Sequence, residues 1–383
     1  MSAAPRRLAV IGAGLIGGSI ALAARRAGGF EVRLTDADPA IRDRASALGL
    51  AEFVTDTVAE AVAGAELVIA AVPTSAVAEV LLAAARGAPP EAILTDAASL
   101  KATLTLEVTS RLRDEGLRPE RFIGGHPMAG SERSGPEAAD GQLFQAATWV
   151  LTPTAETDDG VLTALSGDLR SFGARVVALP PERHDELVAV ISHLPQVVAS
   201  TLAAVAGDVL AATGDAVLSV AGGGFRDTTR IAASDPALWV PILRGNSSAV
   251  LESLGAYRDR LDALARAIEE DDWETVSETL LHASAARHRL APKVVTGDLA
   301  DVVVPMDDRP GQLATATTAL GSAGINVEDL TMRHAGAGGR GALVVRVAVE
   351  DQESAVGVLE GAGLHAHLQP DWADDDPSAP TDP

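Results

Sequence analysis

The chain has 383 residues, 47% of them apolar, a formal charge of −23 and no cysteine. That length holds two or three domains, the apolar share excludes a disordered chain, and the missing cysteine excludes a disulfide scaffold and thiolate chemistry. The negative charge speaks against nucleic acid, which is bound through Lys and Arg, and charge, Gly or Pro breaks every long apolar run, which speaks against a membrane span.

The first element is "RRLAVI" (6–11), an apolar strand. It runs into "GAGLIGG" and then "SIALAARRAG", a small-residue helix. This apolar opening could suggest a secretory leader, but its glycine pattern has a better use, and a cytoplasmic protein is expected. Strands follow in "EVRLTDAD" (31–38), "GAELVIAAVPT" (64–74) and "EAILTDAAS" (91–99), with "AIRDRASALG" and "SAVAEVLLAAA" as helices between them. This rhythm predicts a parallel sheet covered on both faces. It continues through "RFIGGHP" and "ATWVLTP" and ends near "RVVALPPERH", giving a first domain over 6–180.

The glycine turn fits G-x-G-x-x-G through Gly12, Gly14 and Gly17, with Leu15 and Ile16 inside it. The pattern is weak among 36 glycines, but a strand precedes it and a helix follows. Gly12 makes the tight turn, Gly14 lets the backbone approach a pyrophosphate, and Gly17 packs helix on strand. The helix start then offers free N–H groups to the phosphates. The fold class predicted is an α/β Rossmann-like dinucleotide-binding domain. Asp36 ends the second strand, where a carboxylate binds ribose hydroxyls and repels a 2′-phosphate, so NAD is the expected cofactor. Arg33, Arg42 and Arg44 stand nearby and keep NADP in view. Val72, Pro73 and Thr74, after the third strand, would lie along the nicotinamide half.

Residues 181–296 have helical spacing and no strand, which predicts an all-helical second domain. Pro195 should kink or break the first helix. The apolar load is high for a lone helical unit, so packing between subunits is expected. Residues 301–370 read as β-α-β-β-α-β, a ferredoxin-like unit. The acidic tail, 371–383, reads as disordered.

His126 stands in "FIGGHPMAGSERSG" (122–135), at the end of a sheet strand near the crevice where such folds bind ligands. The local pattern supports two readings: a proton-transfer group, or a structural histidine capping the loop. Gly124, Gly125 and Gly130 would give ligands close approach to the backbone. No metal-ligand spacing surrounds it.

The stretches "VIGAGLIGGSIALA", "AVPT", "TDAASLK", "GGHPMAGSERSG", "SHLPQ" and "GGGFRDTTRIAASDPALW" together resemble the prephenate and arogenate dehydrogenase family of tyrosine biosynthesis. "VVVPMDDRPGQLATATTALGSAGINVEDL" resembles an ACT regulatory domain, a type that binds amino acids. The resemblance implies that His126 is the catalytic base at the ring C4 hydroxyl and that Ser99 supports it. It implies that Ser131 helps hold substrate, that Arg230 grips a substrate carboxylate, that Asp227 orients the site and that Trp239 borders it. Gly222, Gly223 and Gly224 would bring backbone close to the ligand. Gln196 stands where the family often has histidine, near the substrate's keto-acid or amino-acid end; a neutral amide neither selects nor excludes either. His193 would pack or cap within the kinked helix or touch ligand.

The activity implied is NAD-dependent oxidative decarboxylation of prephenate. Arogenate or dual-substrate dehydrogenation is the alternative, and a non-catalytic NAD- and amino-acid-binding sensor is the rival of another class. A β-hydroxyacid dehydrogenase would place a lysine in the helical domain, and residues 184–292 hold none. Activity should fall below a pH of about 6.5, the reference for histidine. The resemblance further implies a homodimer built on the helical domain. It also implies tyrosine as feedback ligand near Pro310, Gly311, Gly324 and Asn326.

Overall fold

A computed structural model of the chain describes residues 4–130, 133–213, 222–290, 299–307, 311–335 and 340–368. Ser131, Pro310 and the acidic tail lie outside the described residues. The chain divides into two compact units, Met1–Arg266 and Ala267–Pro383.

The first unit opens with β1 (Arg6–Ile11), α1 (Leu15–Ala27), β2 (Phe30–Thr35), α2 (Pro39–Ala47), β3 (Phe53–Val54), α3 (Val58–Val62) and β4 (Leu67–Ala70). It continues with α4 (Thr74–Gly87), β5 (Ile93–Asp96), α5 (Ala102–Asp114), β6 (Phe122–Pro127), β7 (Thr148–Thr152), α6 (Asp159–Ser171) and β8 (Arg175–Ala178). The strands form one sheet in the order β3-β2-β1-β4-β5-β6-β7-β8. Alternation along β1 sends Leu8 and Val10 into one core with Ile20, Phe144, Trp149 and Phe172. Ala9 and Ile11 enter the opposite core with Leu81, Val108 and Phe122. Burial on both faces explains the unbroken apolar strands.

The expectation of an all-parallel sheet is corrected at one pair. Strand β7 runs antiparallel to β6, with His126 opposite Val150, and β8 then runs parallel to β7. Among the described residues only a three-residue 3-10 turn, Pro136–Ala138, lies between β6 and β7, with no α-helical crossover to force the parallel direction.

Helices α7 (Pro181–Val188) and α8 (Leu194–Thr213) follow, joined by a π-helical turn over Ala189–His193. Pro195 therefore neither breaks nor sharply ends the helix as expected. The wide turn, in which Leu194 N bonds Ala189 O, makes room for the proline ring. The stretch Pro181–Ala211 is long and apolar enough to cross a membrane by length and composition alone, although Pro195 and the charges at its start interrupt it. Its early turns instead carry His184, Asp185 and His193 into a buried polar network. Helices α9 (Gly223–Thr229), α10 (Pro236–Gly245) and α11 (Ser247–Glu269) complete this part of the chain. Along it Val190, Ile191, Val205, Leu238 and Leu251 are exposed.

The second unit holds α12 (Trp273–Leu290), then β9 (Leu299–Asp307), α13 (Gln312–Ser322), β10 (Asp329–Ala335), β11 (Arg340–Ala348), α14 (Gln352–Gly361) and β12 (His367–Leu368). The sheet order β10-β11-β9-β12, antiparallel throughout, is that of the expected β-α-β-β-α-β unit. Val302, Val304, Leu320, Leu343, Val345 and Leu359 fill its core.

Candidate active site

The turn between β1 and α1 forms a nucleotide cradle. Gly12 has φ +101°, and a Cβ there would lie 2.2 Å from Ala71 O. A Cβ on Gly17 would lie 1.7 Å from Gly12 O, so only glycine lets α1 pack this closely. Gly14 faces open space, with nothing within 4 Å of a built Cβ. A pyrophosphate can therefore approach its backbone at the helix start. Below it, a cavity of about 410 Å³ is lined by Gly12, Asp36, Arg42, Val72 and Pro73 among others. The Asp36 carboxylate accepts from Ala13 N at 2.8 Å and from Asp38 N at 3.0 Å, and each oxygen keeps a lone pair for a ribose hydroxyl. Arg42 is tied back, donating to Asp36 O at 2.8 Å and lying 3.4 Å from Asp56 Oδ1. These residues fit a dinucleotide.

A second cavity, about 600 Å³, continues from the cradle. Gly14, Leu15, Ile16, Val72, Pro73 and Thr74 line one side, and Ser99 and His126 line the other. Ala237, Leu238, Pro241 and Ile242 of α10 close it, and Arg133 and Ser134 stand at its rim. Helix α10 is held there because Gly245 passes over Leu100: a Cβ would lie 2.3 Å from Leu100 Cδ1.

His126 reaches backward as well as into the cavity. Its Nδ1 lies 2.9 Å from His184 Nε2, and His184 Nδ1 lies 2.8 Å from Asp185 Oδ1. The Asp185 carboxylate accepts from Lys101 N and Ala102 N, both at 2.9 Å. It thus caps α5, a helix whose own flanking residue supplies no side-chain cap. Asn246 donates to Asp185 O at 2.8 Å and lies 3.2 Å from His193 Nδ1. Lys101 is fully buried, paired with Asp96, and donates to Gly125 O at 2.8 Å, one residue before His126.

Burial pushes the His126 pKa well below the usual imidazole value, and the neighbouring His184, Lys101 and His193 push it the same way. Burial also lowers His193, to about 4, against the pull of Asp185. Burial lowers the Lys101 ammonium too, opposed by Asp96. A half-buried imidazole whose pKa is held down is suited to take a proton. This corrects the expectation that the base would keep an ordinary histidine pKa.

One further expectation changes. Gly124 and Gly125 do not clear space for ligand; a Cβ on either would lie 2.5 Å from Thr152 Oγ1 or Asp96 O, so they serve strand packing. Gly130 is the open one of the three. Gln196, Gly223, Asp227, Arg230 and Trp239 are not among the residues lining the cavity with His126. Gln196 is buried and donates to Ser200 Oγ at 3.3 Å. Gly222, Gly223, Gly224, Asp227 and Arg230 are exposed on α9 and at its ends. Trp239 is half-buried, edge-on to His193 at 6.1 Å, and His193 is packed rather than exposed to ligand. In the second unit, Gly311 and Gly324 have φ of +93° and +75°, and Asn326 donates to Glu328.

Asp96, Lys101, Arg133, His184 and Asp185 were missed as site residues. One signal was readable: the chain has only two lysines, and Lys101 sits inside the quoted "TDAASLK". His184 and Asp185 are adjacent polar residues at the head of an apolar helix.

The cradle and the cavity beside it define a nicotinamide-dinucleotide oxidoreductase. Residues 20–178 match the family described as prephenate dehydrogenase, nucleotide-binding domain; 180–282 match prephenate dehydrogenase, dimerization domain; 301–360 match the ACT domain. The chain is 33% identical over 283 residues to a cyclohexadienyl dehydrogenase of Zymomonas mobilis, covering 74% of this chain and 95% of that one. It is 32% identical over 336 residues to the prephenate dehydrogenase of Bacillus subtilis, covering 83% and 86%. Among solved structures, prephenate dehydrogenase from Aquifex aeolicus with hydroxyphenyl propionate and NAD+ superposes with a TM-score of 0.68 at 29% identity, covering 76% and 100%. The Synechocystis arogenate dehydrogenase superposes with a TM-score of 0.64 at 30% identity, covering 74% and 99%. The chain belongs to the prephenate dehydrogenase family and carries an ACT domain. It is an NAD-dependent oxidoreductase acting on a prephenate-like substrate.

Proposed function

We propose that the chain is a prephenate dehydrogenase, converting prephenate to 4-hydroxyphenylpyruvate in tyrosine biosynthesis. The observation that carries this reading is the cavity that Ser99 and His126 line together with Gly14, Val72, Pro73 and Thr74 of the cradle. NAD held by Gly12, Gly14 and Asp36 would supply the hydride acceptor for ring C4. His126 takes the proton of the C4 hydroxyl while Ser99 holds that oxygen; the ring carboxylate then leaves as carbon dioxide, its electron pair completes the aromatic ring, and the C4 oxygen takes the proton back from His126 to give the phenol. The cavity walls align the reactants, and the apolar face of α10 keeps water out. Arg230, aided by Asp227, would grip a substrate carboxylate through its planar fork. Ser131, Gly223 and Trp239 would border the ligand. Asp36 favours NAD over NADP.

A second reading is use of arogenate as well, which the neutral amide of Gln196 does not exclude. Its buried Oε1 makes no hydrogen bond among the described residues. It can accept from an amine without repelling a keto acid. The similarity to a cyclohexadienyl dehydrogenase supports the same reading. Initial rates on prephenate and on arogenate, with NAD or NADP, followed by absorbance of the reduced cofactor, test both. Prephenate with NAD should give the largest kcat/KM; a rate on arogenate alone would overturn the first reading.

The same reading takes 6–180, 181–296 and 301–370 as nucleotide, substrate and regulatory domains of a cytoplasmic homodimer. The exposed Val190, Ile191, Val205 and Leu251 would be covered by the second copy. Tyrosine is the proposed effector of the ACT domain, near Pro310, Gly311, Gly324 and Asn326.

A further inference from the structure

We propose that Asp185 is a positioning residue that, acting through His184, fixes the tautomer of His126 as Nδ1–H and leaves Nε2 bare as the proton acceptor. The inference rests on the reading of His126 as the base.

The chain of hydrogen bonds starts at the beginning of α5. Lys101 N and Ala102 N are main-chain donors by chemistry, and each gives its hydrogen to a different oxygen of Asp185. An ionised carboxylate accepts only, and the positive end of a helix favours that charged form. The bond of 2.8 Å between Asp185 Oδ1 and His184 Nδ1 must then be donated by the imidazole. With its single ring hydrogen on Nδ1, His184 presents Nε2 as an acceptor. The bond of 2.9 Å to His126 Nδ1 must in turn be donated by His126. One nitrogen remains on a ring that lines the cavity, Nε2, and it holds a free lone pair.

The opposite arrangement needs either a second ring proton on His184 or a proton on Asp185, whose two oxygens already accept from two main-chain N–H groups. The other charged and titratable neighbours do not reverse this. Lys101 is paired with Asp96 and donates to Gly125 O, and His193 lies against Asn246. When the substrate O–H bond breaks and its proton joins Nε2, the His126 cation goes on donating from Nδ1. The negative charge of Asp185 stands behind it through one imidazole. The helix cap and the base are thus joined through His184 by two hydrogen bonds.

The test is nitrogen-15 NMR of histidine-labelled full-length protein with NAD bound, the His126 signals assigned by their loss in His126→Asn. At neutral pH both His126 and His184 should carry hydrogen on Nδ1. A His126 with hydrogen on Nε2 overturns the proposal, whatever the variants do. Asp185→Asn presents an N–H where the carboxylate accepted, so the chain of donors should reverse. Its kcat should fall by about 100-fold or more, as expected for a base held in the wrong tautomer, while the dissociation constant for NAD stays unchanged. An Asp185→Asn protein with wild-type kcat and an unreversed His126 would also overturn it. Should wild-type protein reduce no cofactor with prephenate or arogenate, the functional reading fails, and the NMR result still decides the tautomer.

Discussion

Burial and the nearby Lys101 depress the His126 pKa, and a base works only while unprotonated. Depression therefore extends activity to lower pH rather than narrowing it. The kcat/KM profile should hold through pH 6.5, the reference value, and its acid limb should fall well below it. An acid limb at or above that value would contradict the burial seen here. The cofactor preference rests on a second single residue, Asp36. Asn in its place keeps an oxygen for Ala13 N but loses the charge that repels a 2′-phosphate, and Arg42 stands in the same cavity. For Asp36→Asn the ratio of kcat/KM for NADP to that for NAD should rise by about tenfold, equivalent to ~1.4 kcal/mol. An unchanged ratio would remove Asp36 from the role.

At the scale of elements, the buried pair of Lys101 and Asp96 ties the ends of β5 and β6 to the start of α5. Lys101→Met leaves Asp96 buried without its cation, which should cost about 3–5 kcal/mol of stability in a urea titration. A loss under ~1 kcal/mol would mean that the pair contributes little. The difference between what was legible and what was not follows from range. The glycine turn, Asp36 and the strand–helix rhythm are local patterns, and their partners lie within one βαβ unit. His126 could be suspected from its strand end. The network behind it could not, because His184 and Asp185 meet β6 and α5 only after the chain has passed through β7, α6 and β8. The same long range hid the antiparallel β7 and the packing role of Gly124 and Gly125. Pro195 marked its disturbance correctly in place but not in kind, since a π turn absorbs the ring without breaking the helix.

At the scale of the whole molecule, the exposed apolar side chains along α8 and α11 are more than a lone soluble surface needs. The mass in solution should be that of two chains, read by light scattering; a single-chain mass at micromolar concentration would contradict the dimer. The ACT unit should confer the response to tyrosine, so a chain ending before residue 299 should keep activity and lose inhibition. The central claim is that His126 carries out proton transfer in an NAD-dependent oxidative decarboxylation. It is tested most directly by following NADH formation and carbon dioxide release together, with prephenate, for wild-type protein and His126→Asn. The account predicts equal amounts of both products from wild type and a kcat about 10²–10⁴-fold lower in the variant. Cofactor reduction at an undiminished rate in His126→Asn, or none in wild type, would contradict it.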